Sequence, residues 1–247
     1  MKSARPIWSL VTVAVLLAPL LAAPATAQRS RAPAEPRAGV FDYYALVLSW
    51  SPTYCASVRS TEDEPQCRRG ARPYAFVLHG LWPQYERGYP EYCTTRERPF
   101  VPQPIIDRML DIMPSSRLVI HEYRKHGTCT GLDPAGYYDL SRRLYEKISI
   151  PSRFVSPPAP FFISPQEVVD AFIQANPGLK HEMIAVDCRG SGNRLREVRI
   201  CFSREGNFRA CGSNDHRGAC RARRMYVPPV RGGSGAAPAT SHGQRAL

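Results

Sequence analysis

The sequence lacks the signatures of several protein classes. Beyond its first 27 residues it has no apolar run long enough to cross a bilayer, and it has no internal repeat. No C-x-x-C pair is present and no histidine follows a cysteine at a zinc-finger interval, which argues against a cysteine-based zinc site. No N-x-S/T sequon occurs either, which fits a bacterial source.

The N-terminus has the three parts of a secretory signal. Basic Lys2 and Arg5 precede the apolar run LVTVAVLLAPLLAA, and the small-residue exit ATA follows it. We therefore expect residues 1–27 to be removed and the mature protein to be secreted or periplasmic, without membrane attachment. A retained anchor is the alternative, but Pro19 and Pro24 interrupt the apolar run.

The charge balance favours a polyanionic partner. The chain has 33 Lys and Arg against 21 Asp and Glu, a formal net charge of +12 that becomes +10 without Lys2 and Arg5. Such a surplus on an exported protein favours nucleic acid first, and an anionic membrane or glycan second. A basic surface also serves solubility, so charge alone does not decide among these functions.

The remaining chain has the length of one domain with one core. Residues 28–39 are polar and rich in Pro and Arg, so we expect a flexible lead-in there. Residues 230–247 have the same character, which predicts a disordered tail. These two segments bracket a single predicted domain at residues 40–229.

Strands and helices are interspersed in this domain without a regular βαβ rhythm. Apolar runs and turn signals predict strands at 41–50, 74–80 and 183–188 and a hairpin at 195–211. Capping and proline signals predict helices at 105–113, 133–148 and 164–178. We therefore predict an α+β domain with a central, mostly antiparallel sheet and packed helices.

Eight cysteines remain after removal of the signal. In an exported protein they predict an oxidised framework of four disulfides, although eight cysteines allow about 105 pairings. The cysteines are Cys55, Cys67, Cys93, Cys129, Cys188, Cys201, Cys211 and Cys220.

The stretch HEYRKHGTC concentrates titratable groups. Ser115 or Ser116 caps a predicted helix over residues 117–126, and Gly127 is predicted to stop it. At about 100° per residue, four of its polar side chains fall within an arc of about 140°. They are His121, Glu122, Lys125 and His126.

Three interpretations of this face are open. A solvated face with an i, i+4 ion pair is the ordinary one, but histidines at both ends weaken it. A shared zinc requires histidines four residues apart, whereas His121 and His126 are five apart and about 140° around the helix. Proton transfer is the third, since imidazole acts as acid or base near neutral pH. It requires a second histidine in the opposite protonation state.

His79 is the candidate partner histidine. It lies in YAFVLHGLWPQ, where we predict that it ends an apolar strand just before a glycine and faces a cleft. The alternative is a core histidine satisfied by its neighbours, with Trp82 as a core aromatic.

The segments FVLHGLWP and HEYRKHGTC resemble the two active-site segments of the secreted ribonuclease T2 family. The resemblance covers most of residues 41–228 and suggests a bacterial, ribonuclease I-like member with a disulfide-stapled fold. Many members have tryptophan where Tyr123 stands and aromatic residues where Val119 and Ile120 stand, so we expect an altered pocket wall with the chemistry retained. Gln84 follows LWP at a position that varies among relatives, and it is a candidate determinant of base preference.

The resemblance implies an endoribonuclease that cleaves single-stranded RNA without a metal or another cofactor. RNA carries its own nucleophile, the 2′-hydroxyl, so the protein need only move protons and stabilise charge. By resemblance, His126 is the general base that takes the 2′ proton, and His79 is the general acid that protonates the leaving 5′ oxygen. The product is a 2′,3′-cyclic phosphate, later hydrolysed to a 3′ phosphate.

The same resemblance implies roles for four further residues. Lys125 places a positive charge against the phosphorane-like transition state, and Glu122 holds that lysine and tunes the imidazoles. His121 binds and orients the phosphate. Trp82 lines the base pocket, where stacking is worth about 1 to 3 kcal/mol per base.

The disulfides implied by the resemblance are Cys55–Cys67, Cys93–Cys129, Cys188–Cys220 and Cys201–Cys211. The second joins the end of the catalytic helix to the loop after HGLWPQ, and it helps to hold His126 and His79 in register. We expect each disulfide to add about 2 to 4 kcal/mol of stability.

Two other functions are alternatives to the ribonuclease. A secreted RNA-binding module without catalysis would keep the basic surface and Trp82 but would tolerate losses among the reactive side chains, and none of these is missing. A metal-dependent hydrolase of another class would need an added cation. We expect RNA as the partner and a monomeric protein.

Overall fold

A four-stranded antiparallel sheet forms the centre of the fold. In the computed structural model, which describes residues 36–230, its strands are β1 Tyr43–Trp50, β2 Phe76–Gln84, β4 Ile184–Asp187 and β5 Glu197–Phe202. They pair in the order β2-β1-β5-β4, each antiparallel to its neighbour. Strands β3 (Phe161–Ile163) and β6 (Met225–Val227) form a second antiparallel sheet. The predicted α+β class with a mostly antiparallel sheet is confirmed.

The α-helices of the described residues are α1 Ser51–Ser57, α2 Gln103–Met109, α3 Ser116–Glu122, α4 Thr128–Thr130, α5 Pro134–Glu146, α6 Pro165–Ala175 and α7 Ser213–Arg217. Asp133 caps α5 by accepting a hydrogen bond from the amide of Gly136, and Ser164 and Glu167 form the capping box of α6. Both caps match the prediction, because capping depends on residues only three positions apart.

The central sheet packs one face in the main core and carries charged side chains on the other. Alternate residues of β1, from Tyr44 to Trp50, pack in the main core with side chains of α2, α3, α5 and α6. Each large apolar side chain buried there stabilises the fold by about 1.5 to 3 kcal/mol. On β5, Val198 belongs to this core, whereas Glu197 and Arg199 lie on the opposite face.

The helix predicted between Pro104 and Pro114 is displaced toward the N-terminus. It begins before Pro104, at Gln103, because proline is accepted in the first helical turn. It ends at Met109, and the chain then leaves the helix so that the carbonyl of Ile112 accepts a hydrogen bond from the amide of Leu78 in β2.

The hairpin predicted at residues 195–211 is only partly formed. Its first arm is β5, but its second arm makes a single bridge, from Phe202 to Phe208. The turn between them contains Gly206 in the left-handed region, as the sequence suggests. Strand β5 pairs along its length with β1 and β4, so the predicted hairpin is confirmed only at its turn and at this one bridge.

Four disulfides link the chain, Cys55–Cys67, Cys93–Cys129, Cys188–Cys220 and Cys201–Cys211. These are the pairs that the family resemblance implies. The predicted signal at residues 1–27, most of the lead-in at 28–39 and the tail beyond Val230 lie outside the described residues. Within residues 36–230, no helix has the length and apolar character needed to cross a membrane.

Candidate active site

A β-bulge on β2 positions His79. Val47 of β1 pairs with Gly80 and Leu48 pairs with Leu78, which leaves His79 as the extra residue. Bulges re-aim side chains and are frequent beside active sites. We predicted that His79 ends its strand, but it lies in the middle of β2.

The bulge also sorts the side chains of HGLWP between the two faces of the sheet. Leu78 and Leu81 are both buried in the core although they are three residues apart, a spacing that an unbroken strand would not allow. His79 and Trp82, also three apart, are only partly buried, and their rings contact each other at a centroid distance of 5.2 Å. They line the polar face together.

The catalytic helix is longer than predicted. It begins at α3, whose N-cap Ser115 accepts a hydrogen bond from the amide of Leu118, and continues through a π-helical turn at Tyr123–Gly127 into α4. It ends at Gly131, which has a φ of +78°. Gly127 has helical angles, so the prediction that it stops the helix is wrong.

Gly127 has a packing role. A Cβ at this position would lie 2.4 Å from Cδ2 of the Tyr123 ring, so a side chain would push that ring out of the core. Tyr123 itself is buried, and its hydroxyl donates a hydrogen bond to the carbonyl oxygen of Leu132 at 3.2 Å. Tyr123 therefore supports the catalytic helix from within the core.

The π-helical turn changes the placement of the reactive residues. A π turn holds more residues than an α turn, so each residue turns the chain through a smaller angle. The angle around the helix axis between His121 and His126 is therefore smaller than the value of about 140° expected for an α-helix. Glu122 and His126 are buried, with 1% and 3% of their surface exposed, whereas His121 is exposed. The four polar groups therefore extend from solvent into a cleft, rather than sharing one solvated face.

Trp82 connects the two active-site segments. Its indole stacks on the imidazole of His126, with ring centroids 4.9 Å apart and planes inclined by 22°. Its Nε1 donates a hydrogen bond to Oε2 of Glu122 at 2.7 Å. Trp82 thus orients both residues, and its role in base binding stays a prediction.

Gly80 permits this arrangement. A Cβ at Gly80 would lie 2.0 Å from Oε2 of Glu122 and 2.7 Å from Nε1 of Trp82. Both atoms belong to the partly buried hydrogen bond between the two segments. The glycine of HGLWP is therefore required by the approach of the catalytic helix to β2.

His79 lies between two carboxylates. Its Nδ1 is 2.9 Å from Oε1 of Glu197, and its Nε2 is 3.7 Å from Oε1 of Glu122. Burial alone lowers the pKa of His79, but its hydrogen bond to Glu197 and the charges of both carboxylates outweigh burial, so the pKa is raised. Its side chain is 32% exposed, so it can reach a substrate while it is protonated.

His126 has the opposite environment. Burial lowers its pKa, and the neighbouring charges of Lys125, His79 and His121 lower it further. Its Nδ1 is buried without a hydrogen-bond partner among residues 36–230. His126 is therefore neutral at a pH where His79 is charged, and divergent environments of this kind mark an acid and a base.

Lys125 reaches the loop after β2. Its Nζ lies 3.4 Å from Oε2 of Glu91, and its carbonyl oxygen accepts a hydrogen bond from the amide of Tyr92 at 2.8 Å. The disulfide Cys93–Cys129 fixes the same loop to the helix end. We expected Glu122 to hold this lysine, but the ion pair is with Glu91, because the buried carboxylate of Glu122 faces β2.

A cavity of about 260 Å³ opens beside His79 and His121. Its other lining residues are Ser49, Tyr54, Glu64, Gln66, Val77, Ser115, Arg117 and Leu118.

Gln84, a candidate determinant of base preference, does not line this cavity. Its side chain is buried and donates a hydrogen bond to the carbonyl oxygen of Pro83. The pKa of the largely exposed His121 is lowered by the partial burial of its ring and by the charges of Lys125 and His79.

Sequence reasoning did not identify Glu197, Arg199 or Glu91 as site residues. Glu197 and Arg199 carried a weak signal, because charged side chains two apart in an otherwise apolar strand mark a polar sheet face. Glu91 carried none.

Within the described residues, one group of three side chains brings potential metal ligands within 4.8 Å of one another, Cys201, Cys211 and Asp215. Both cysteines are joined in a disulfide, so their sulfurs are not thiolates. This group does not have the ligand chemistry of a metal site.

Comparisons with known proteins agree with the geometry. The sequence profile of the Ribonuclease T2 family matches residues 41–211. A ribonuclease from Aeromonas hydrophila is 39% identical over 200 residues, which cover 79% of this chain and 84% of that protein. Ribonuclease I of Escherichia coli K12 is 27% identical over 227 residues, which cover 76% of this chain and 83% of that protein.

Solved structures share the fold. The self-incompatibility associated SF11-RNase of Nicotiana alata has a TM-score of 0.59 at 20% identity and covers 78% of this chain and 100% of its own. Ribonuclease MC1 from bitter gourd seeds has a TM-score of 0.56 at 19% identity and covers 75% of this chain and 99% of its own. With the profile match and the Aeromonas relative, the conclusion is that the chain belongs to the ribonuclease T2 family.

Proposed function

We propose that this endoribonuclease cleaves single-stranded RNA by attack of the 2′-hydroxyl on the adjacent phosphodiester, without a metal. Nε2 of His126 is the candidate base that takes the 2′ proton, and His79 gives a proton to the 5′ oxygen as the P–O5′ bond breaks. The 2′,3′-cyclic phosphate is then hydrolysed with the roles reversed, leaving a 3′ phosphate. Each proton-transfer partner contributes about 10²- to 10⁴-fold to the rate.

The remaining polar residues of the catalytic helix stabilise the charges that the reaction involves. Lys125 supplies a positive charge to the phosphorane-like transition state, and the exposed His121 orients the phosphate. Glu122, fixed by Trp82, supports the protonated form of His79. No step of this mechanism requires a cation.

One observation carries the proposal: two imidazoles from separate segments contact the same indole and have opposite pKa shifts. A binding module would have no need for this divergence. Because acid and base must be in opposite protonation states at one pH, the arrangement favours catalysis over binding alone.

RNA binding fits the surroundings of the site. A variant of RNase MC1 was crystallised with 5′-UMP and RNase NT with 5′-AMP, so relatives of this fold hold nucleotides. In this chain, the cavity beside His79 and His121 and the ring of Trp82 are the candidate positions for bases on the two sides of the cut. We further propose that the protein acts as an exported monomer.

Digestion of the sixteen dinucleotides with EDTA present tests this function. Cleavage to 2′,3′-cyclic and then 3′-phosphate ends is the expected result, and the rates report base preference. Loss of cleavage that returns with added cation would favour a metal-dependent hydrolase. Binding without cleavage would favour the non-catalytic module.

A further inference from the structure

Glu197 reaches His79 across a neighbouring strand. In the central sheet, Glu197 of β5 is paired with Ser49 of β1, and Ser49 is paired with Val77 of β2. The small side chain of Ser49 lies between them, so the carboxylate of Glu197 can pass over β1. It ends 2.9 Å from Nδ1 of His79, the residue that the bulge displaces.

The carboxylate of Glu197 is fixed at both oxygens. Oε1 contacts His79, and Oε2 accepts a hydrogen bond from Nη2 of Arg199 at 3.0 Å. Arg199 in turn lies 3.4 Å from a carboxylate oxygen of Asp215 and 3.7 Å from one of Asp187. With only 14% of its side chain exposed, Glu197 is held in one orientation.

The hydrogen bond defines the tautomer of His79. Arg199 and His79 outweigh the effect of burial and lower the pKa of Glu197, so this carboxylate is ionised and can only accept. Nδ1 of His79 must then be the donor. Its other nitrogen, Nε2, is left on the side of Glu122 and the catalytic helix, where the substrate phosphate is proposed to bind.

We propose that Glu197 is the positioning residue of the general acid: it holds Nδ1–H of His79, directs Nε2 at the scissile phosphate and favours the imidazolium form. The inference rests on the proposed function. During cleavage the Nε2 proton moves to the 5′ oxygen as the P–O5′ bond breaks, the Nδ1 proton stays in its hydrogen bond, and Glu197 remains ionised. No other reactant is needed.

Other charged groups also act on His79, and the test must separate them from Glu197. Glu122 faces Nε2 from α3 and raises the pKa of His79, whereas Arg199 lowers it from β5. His121 and His126 on the catalytic helix interact with it as well. Among these groups, the hydrogen bond to Nδ1 belongs to Glu197.

Glu197→Gln separates charge from shape, because the amide keeps the size and one acceptor oxygen. The basic limb of the kcat/KM profile should move to lower pH, since the imidazolium loses a negative neighbour, while the acid limb stays in place. At pH 7 kcat should fall, by less than the roughly 10²- to 10⁴-fold cost of losing the acid itself. KM for a dinucleotide should not change.

The leaving group provides a sharper readout. Cleavage of uridine 3′-(p-nitrophenyl phosphate) releases p-nitrophenolate. Because this leaving group is stable as an anion, its departure does not need a general acid. The defects of Glu197→Gln and His79→Ala should shrink with this substrate, whereas that of His126→Ala should not. In a His79→Ala background, Glu197→Gln should reduce kcat no further. Glu205→Gln, in the exposed turn after β5, is the matched control.

The outcomes distinguish this inference from the proposed function. If His79→Ala responds to the leaving group but Glu197→Gln does not, Glu197 has no role in positioning the acid. If His79→Ala is itself indifferent to the leaving group, the proposed acid is wrong and the function fails with it. A nitrogen-15 NMR spectrum of the intact protein adds a test without variants: neutral His79 should carry its proton on Nδ1, and a proton on Nε2 would overturn the inference.

Discussion

The imidazole of His126 stacks on the indole of Trp82, with ring centroids 4.9 Å apart. The same indole donates its N–H to Glu122, which approaches Nε2 of His79. A single aromatic residue of β2 thereby links the candidate base, the buried carboxylate and the candidate acid. We expect catalysis in this ribonuclease to depend on this link between the two active-site segments.

Trp82→Phe tests the link. Phenylalanine keeps a ring but removes the donor to Glu122, so a buried carboxylate loses a partner at a cost of about 1 to 3 kcal/mol. Both the thermal unfolding midpoint and kcat should fall. Trp50→Phe is the control, because it also loses a buried hydrogen bond, to the carbonyl of Pro228, but away from the site. It should lower the midpoint and leave kcat unchanged.

Gly80→Ala should disable the site through the same contact. Its Cβ would overlap Oε2 of Glu122, so α3 and β2 must separate. We expect a large fall in kcat on dinucleotides. Gly218→Ala is a matched control, since its Cβ would meet neighbouring atoms at an ordinary 3.5 Å. Full activity of Gly80→Ala would show that the close approach of the two segments is not needed.

Glu91→Gln should strengthen phosphate binding. The substitution releases Lys125 from an ion pair that competes with the substrate phosphate. Because both side chains are partly exposed, the gain should be modest, within about 1 kcal/mol, and smaller at high salt. The inhibition constant of inorganic phosphate measures the effect. Glu97→Gln, in the same loop and outside any ion pair within residues 36–230, should leave it unchanged.

Removal of the disulfide Cys93–Cys129 should lower activity beyond its effect on stability. The double alanine variant releases the end of the catalytic helix from the loop after β2. The control is removal of Cys188–Cys220, which spans 32 residues against 36 and so has a similar entropic effect of about 2 to 4 kcal/mol. With far-ultraviolet circular dichroism unchanged in both, only the first variant should lose most of its kcat.

Local signals in the sequence predicted much of this fold. Features that depend on contacts between distant residues could not be predicted. The caps at Asp133 and Ser164 could be predicted because their partners are three residues away. The bulge at His79 could not, because it appears only when β2 pairs with β1. The hydrogen bond from His79 to Glu197 joins residues 118 positions apart, and nothing in either segment alone indicates the other.

The helix stop predicted at Gly127 failed for a related reason. Glycine commonly ends helices because it accepts a positive φ, and the sequence does not show that this glycine is needed for packing on Tyr123 instead. The predicted catalytic residues do lie close to one another, since the charges of several of them act on His126. Their order of burial, with His126 inside and His121 exposed, depends on the π-helical turn and on Trp82.

The pH dependence of kcat/KM on a dinucleotide should be bell-shaped. His126 acts as a base only above its pKa, which is lowered from 6.5, so the acid limb should lie below pH 6.5. His79 acts as an acid only below its pKa, which is raised from 6.5, so the basic limb should lie above pH 6.5. A rate that rises steadily through both limbs would be inconsistent with paired roles.

The most direct measurement is an NMR titration of the two imidazoles in the intact protein, with His79→Ala and His126→Ala used to assign the signals. At pH 6.5, the ordinary pKa of histidine, we expect the ring of His79 to be charged and the ring of His126 to be neutral. The reverse order, with His126 protonated and His79 neutral at that pH, would contradict this expectation.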